Sequence, residues 1–182
     1  FALDPQGWVC LDLGASTGGF TDCLLQRGAS RVYAVDVGYG LLDYRLQSDA
    51  RVCSLERTHA AQLTTEHVPE PVDLLVADIS FNSLTRILPA CVGLLRPGAY
   101  VITLVKPQFE AEPSEVDEGG IVRSPAVRLR LASALQRLPD DSRWPILQGL
   151  VSRQMDADDH NTPKMICFGV EPLVSKFPDK AL

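Results

Sequence analysis

Four places along the 182-residue chain set reactive or ligand-holding residue types where a fold could use them. The first is Asp12-Leu13-Gly14-Ala15-Ser16-Thr17-Gly18-Gly19-Phe20, in which three glycines fall within six positions. Glycine lets backbone approach a ligand closely. A helix starting just after such a turn presents unpaired N–H groups to an anionic group. The second is Asp36, 22 residues after Gly14, a carboxylate that can accept both hydroxyls of a ribose or simply cap the turn before Gly38. The third and fourth are Asp78, in Ala77-Asp78-Ile79-Ser80-Phe81, and Lys106, in Val105-Lys106-Pro107-Gln108-Phe109. Each charge closes a long apolar run, where charge is either used or paired. A lysine beside a carboxylate can hold a hydroxyl oxygen or take its proton. The same pair can also do no more than close a sheet edge.

These residues need a scaffold that gathers strand ends, and the hydropathy pattern supplies one. Apolar runs at Trp8–Leu13, Arg31–Val37, Val52–Leu55, Val72–Ala77 and Tyr100–Val105 read as strands, with Ile146–Val151 and Met165–Val170 as the last candidates. Between them Gly18–Arg27 has helical spacing and is stopped by Gly28, and Phe81–Leu95 reads as a helix containing Pro89 and ended by Arg96-Pro97-Gly98. Pro107–Gly120 reads as an acidic loop over the site. Ser124-Pro125 is a cap followed by proline at the first helical position, opening a helix with Val127, Leu131, Leu135 and Leu138 on one face. Alternating strands and helices predict an α/β domain over residues 1–182, a mostly parallel seven-stranded sheet with helices on both faces. Ligands in such sheets sit at the carboxyl ends of the strands, where the four places fall.

The glycine loop discriminates between cofactors. A dinucleotide site needs glycine at its second position, to admit the pyrophosphate; here that position is Ser16. S-adenosylmethionine has no pyrophosphate, and Asp-x-Gly-x-Ser-x-Gly resembles the loop of methyltransferases with one serine substitution. The predicted fold is therefore the Rossmann-like one of S-adenosylmethionine-dependent methyltransferases. Asp12, Gly14, Ala15, Ser16, Gly18, Gly19, Phe20, Asp36, Val37 and Asp78 are the candidate cofactor-binding residues. Thr58 joins them, since it and His59 follow the third strand where adenine would lie, although both could equally be surface loop residues. Asp78 and Lys106 are the candidate catalytic pair.

Five segments in order carry a closer resemblance: Leu11–Asp22, Tyr33–Gly38, Val76–Phe81, Leu104–Glu110 and Gly119–Pro125. They resemble the TlyA (haemolysin A-type) family of FtsJ-like ribosomal RNA 2′-O-methyltransferases, from about Leu3 to about Leu138. The resemblance implies S-adenosylmethionine as cofactor, S-adenosylhomocysteine as product, and ribosomal RNA or a ribosomal subunit as partner, in the cytoplasm. It also implies a Lys–Asp–Lys–Glu tetrad acting on a ribose 2′-hydroxyl, with Asp78 as its aspartate and Lys106 as its second lysine. The first lysine would lie upstream of Phe1, as would an N-terminal RNA-binding domain of the S4 type. The stretch that should hold the glutamate, His160–Met165, contains none.

Bulk properties bound the alternatives. Apolar residues make up 46% and charged residues 22%, an ordinary globular balance. The chain has no apolar run long enough to suggest a membrane span and no signal-peptide pattern. Its start at Phe1 is expected of a piece of a longer protein. Cys10, Cys23, Cys53, Cys91 and Cys167 stand singly in apolar stretches, as buried reduced thiols do. With His59, His67 and His160 widely separated, no metal site is expected. The net charge of −6 argues against RNA binding by this domain alone, so RNA affinity is expected from the N-terminal domain. Two other readings stay open. One is an amino methyltransferase using Asp78-x-x-Phe81; the other is a module that binds the cofactor or a partner without catalysis.

Overall fold

The computed structural model describes residues 3–127 and, for the backbone, 166–170. Within them six strands form one sheet: β1 (Val9–Leu13), β2 (Arg31–Val35), β3 (Val52–Leu55), β4 (Val72–Ala77), β5 (Leu95–Val105) and β6 (Ile166–Val170). Their spatial order is β3-β2-β1-β4-β5-β6, the first five parallel and β6 antiparallel to β5. The sheet and its order are those of the predicted fold class. The expected strand at 146–151 and most of the helix expected after Ser124 lie outside the described residues.

The chain leaves β1 toward β2 on one side and later returns to β4 on the other, so the ends of β1 and β4 frame the point where strand order reverses. This is where α/β sheets bind ligands. Side-chain alternation along β1 explains the two cores. Leu11 and Leu13 pack with Leu84, Ile87, Leu88 and Cys91 of α3 (Leu84–Cys91). Cys10 faces the other way, with Leu24 and Leu25 of α1 (Gly19–Gln26). Strands buried on both faces read as continuous apolar runs, which is why they were visible in the sequence.

Several boundaries differ from expectation. The helix expected from Phe81 begins at Leu84, because Phe81 has φ +64 and Ser83 is the N-cap, accepting from Thr85 N. It runs through Pro89 into a 3₁₀ turn at Val92–Leu94. Strand β5 starts at Leu95 instead of Tyr100. Its pairing with β4 slips between Val72↔Leu95 and Leu74↔Tyr100, so Arg96-Pro97-Gly98 is the body of a bulge. The acidic loop after β5 contains α4 (Pro107–Glu110) and a 3₁₀ turn at Pro113–Glu115. A further four-residue helix, α2 (Tyr44–Gln47), was not expected; Asp43 caps it by accepting from Arg45 N.

Among the described cysteines all are free: Cys10 and Cys91 are buried, Cys53 is half-buried, and Cys23, against expectation, is exposed on α1. Burial pushes the Cys10 and Cys91 thiols up to about 12, so both are inert at neutral pH. Among the described residues no helix is long and apolar enough to cross a membrane.

Candidate functional site

The glycine loop is held open by its neighbours. Gly14 N and Ala15 N both donate to Val35 O, at 2.9 and 3.1 Å, which folds the end of β1 over the end of β2. Gly14 has φ +79, and a Cβ there would lie 2.6 Å from the Asp78 carbonyl oxygen. Only glycine lets the loop pass that close to the end of β4. Gly18 has φ +101, and a Cβ there would strike Leu46 of α2 at 2.2 Å. Ser16 also takes a left-handed backbone, φ +50.

Asp36 ties this loop to the next. Its Oδ2 accepts from Ser16 N at 2.8 Å and its Oδ1 from Gly38 N at 2.7 Å. Each carboxylate oxygen still has a lone pair to offer a ligand. Asp12 lies beneath the loop with 0% exposure. Its Oδ2 accepts from Thr21 Oγ1 at 2.7 Å, while Oδ1 has no partner among the described residues. Burial raises its carboxyl from the ordinary 3.8 to about 6, only partly offset by Thr21.

At the far side, Lys106 is the residue after β5 and Asp78 the residue after β4. Lys106 Nζ stands 2.7 Å from Asp78 Oδ1, a close ion pair rather than an aligned hydrogen bond. It donates to Ser80 Oγ, also at 2.7 Å. The lysine side chain is only 16% exposed. Next to it Phe81 is 87% exposed and meets Phe109 with ring centroids 5.1 Å apart.

Between these groups opens a cleft of about 280 Å³. Gly14, Ser16, Asp36, Val37, Thr58 and Asp78 line it, as the sequence led us to expect. His59 lines it too, with Nδ1 accepting from Ala61 N, which leaves the ring proton on Nε2. Other expected cofactor residues are not on its wall. Asp12 and Ala15 are buried behind the loop. Gly18 and Gly19 line a groove on the α1 and α2 side, and Phe20, part of α1, is half-buried against the core on that face of the sheet. These residues shape the loop from outside the cleft. Sequence reasoning missed Leu41, Ile79, Ser80, Phe81 and Asn82, which line the cleft beside the core residues Val35, Ala60 and Ile87. Their nearness to Asp78 was the available signal for four of them, and nothing in residue type marked Leu41. Among the described residues no group of three or more His, Cys, Asp or Glu could hold a metal ion.

The family model of FtsJ-like methyltransferases matches residues 1–144. The 16S/23S rRNA (cytidine-2′-O)-methyltransferase TlyA of Mycobacterium tuberculosis is 50% identical over 144 residues, 79% of this chain and 54% of the relative. The chain thus spans about half the length of that curated relative. A solved structure of a candidate hemolysin from Streptococcus thermophilus superposes with a TM-score of 0.80 at 32% identity, over 93% of this chain and 61% of that one. An S-adenosylmethionine-dependent methyltransferase from Mesorhizobium loti shares the fold, with a TM-score of 0.58 at 15% identity over 93% of each chain.

Proposed function

The chain belongs to the FtsJ-like methyltransferase family, and from that premise we propose that it binds S-adenosylmethionine in the cleft and methylates a ribose 2′-hydroxyl of ribosomal RNA. The observation that carries the reading is that Asp78 and Ser80, which line the cleft together with Asp36, both hold the Lys106 ammonium, which itself stands just behind the wall.

The residues fit this cofactor. Asp36 presents carboxylate oxygens at the end of β2, where a ribose diol would be held. Leu41, Ala60, Ile79 and Ile87 give the cleft apolar walls suited to adenine. The lack of a side chain at Gly14 lets the loop lie against the Asp78 carbonyl, so that backbone edges the cleft where the amino-acid tail would be held. When bound, S-adenosylmethionine supplies a methyl group on a sulfonium sulfur.

The chain's own task is alignment and charge. The ammonium of Lys106 donates to the hydroxyl oxygen and stabilises the negative charge left there as the hydroxyl proton passes to solvent water, so that this oxygen can take the methyl group. Asp78 and Ser80 hold that ammonium in one place, and fixed geometry alone supplies a large part of such an acceleration. Because Asp78 is engaged by Lys106, it is not offered to an exocyclic amine, which favours oxygen over nitrogen as acceptor. Exposed Phe81, backed by Phe109, offers a face for the base of the target nucleotide, as aromatic side chains do in single-stranded RNA recognition.

The relative's substrate, cytidine in 16S and 23S rRNA, is the proposed substrate class here, and the cytoplasm the proposed setting. With a net charge of −6, RNA affinity is assigned to an RNA-binding domain elsewhere in the whole protein. The test is methylation of ribosomal RNA or subunits, followed by nucleoside analysis. We expect 2′-O-methylcytidine from the parent, and from Lys106→Ala a rate lower by roughly 100-fold or more, the scale of losing one charge-stabilising donor. Base-methylated product would support the amino methyltransferase instead. Cofactor binding without turnover would support the binding module.

A further inference from the structure

Lys106 and Asp78 lie beyond the last β4–β5 pair, Ala77↔Thr103. Past that pair no ladder of the sheet fixes the spacing between the two segments that carry them. Side chains must do so, and three contacts join residues 78–84 to residues 106–110. One is the Lys106 contact with Asp78 and Ser80. The second is the Phe81–Phe109 ring pair. The third belongs to Glu110, a residue not used by the reading above. Its Oε2 accepts from Ser83 Oγ at 2.5 Å and its Oε1 from Leu84 N at 2.7 Å.

Glu110 could be nothing more than a cap on α3. Two features argue for a larger role. Ser83 already caps α3 locally through Thr85 N, whereas Glu110 reaches Leu84 across 26 residues of chain. Glu110 is also one helical turn from Lys106, through a turn closed by Phe109 N to Lys106 O at 2.9 Å and Ala111 N to Pro107 O at 2.9 Å. Fixing Glu110 at the start of α3 therefore fixes where Lys106 stands. Burial raises the Glu110 carboxyl above its ordinary value, and the hydrogen bonds from Ser83 and Leu84 at the positive end of α3 offset part of that cost.

We propose that Glu110 is a positioning residue: it clasps the segment after β5 to the segment after β4 and so sets the distance at which Lys106 meets Asp78 and Ser80. Its effect on turnover rests on the methyltransferase reading; its effect on Lys106 does not.

The experiment uses the whole chain and the variants Glu110→Ala, Glu110→Gln and Ser83→Ala. The first readout is the rate at which acetic anhydride labels Lys106, followed by mass spectrometry. Glu110→Ala is expected to raise it roughly three-fold or more, and Glu110→Gln, which keeps an acceptor for Leu84 N, to stay near the parent. The second readout is turnover. Glu110→Ala should lower kcat by roughly ten-fold while KM for S-adenosylmethionine stays within about two-fold, and the loss should vanish in a Lys106→Ala background, as expected of residues acting as a unit. Labelling at the parent's rate in Glu110→Ala overturns the clasp. So does a loss of turnover that persists unchanged without Lys106. If Glu110→Ala does not fold, Ser83→Ala carries the same test by withdrawing one donor, and unchanged labelling there overturns the proposal. Raised labelling in a protein whose parent makes no methylated ribose supports the clasp and counts against the methyltransferase reading alone.

Discussion

Asp12 sits where the sheet should be purely apolar, with no exposure to water and one oxygen lacking a partner among the described residues. Its carboxyl is raised from 3.8 to about 6 by burial. The folded state therefore holds a proton that the unfolded state has released between those two values. Stability falls as pH rises through this window and stays lower above it. A rise from 3.8 to about 6 corresponds to about 3 kcal/mol at most. Thermal melts from pH 4 to 7 should show this decline in the parent. Asp12→Asn, which still accepts from Thr21, should flatten it; an unchanged slope would mean Asp12 does not titrate in this window. The same residue shows how the sequence could mislead. Asp12 opens the cofactor motif, so it reads as a ligand contact, yet among the described residues its side chain accepts from Thr21 of α1. Spacing identifies which residues build a loop; it does not separate those facing the ligand from those behind it. Asp36, Asp78 and Lys106 were readable because charge at the end of an apolar strand has few other uses.

At the scale of elements, strands β1, β3 and β4 fell within a residue or so of their expected limits, because burial on both faces leaves an unbroken apolar signal. The short elements did not. Helices α2 and α4 have four residues each, too few to show a 3.6-residue period. The start of α3 was missed because Phe81 adopts φ +64, a conformation that residue type does not announce. A bulky residue in that region stores strain of about 1–3 kcal/mol, which structures keep where it serves a function. Phe81→Gly should therefore behave in opposite ways in two assays. Stability should rise by about 1 kcal/mol, while KM for RNA should increase as the exposed ring is lost. A variant that is both more stable and as active as the parent would remove Phe81 from the target site.

For the molecule as a whole, the sheet order brings four separate sequence segments to one edge. Gly14 and Ser16, residues 36–37, 58–60 and 78–82 line a single cleft, and Lys106 arrives beside it from the next strand. The alternation of elements was enough to predict that convergence, because right-handed parallel crossovers leave little choice of topology. The clasp through Glu110 was not predictable, since it depends on where two loops meet in space. The acidic balance of the domain also fits the division of labour proposed here, in which the cleft handles a cationic cofactor and RNA affinity comes from elsewhere. That account rests first on the cleft being a cofactor site. Calorimetric titration of the chain with S-adenosylmethionine, beside Asp36→Ala, tests it most directly. The account predicts saturable one-to-one binding by the parent, weakened roughly ten-fold or more by the substitution, about 1.4 kcal/mol. A folded parent that binds no S-adenosylmethionine, or an Asp36→Ala variant that binds it equally well, would contradict it.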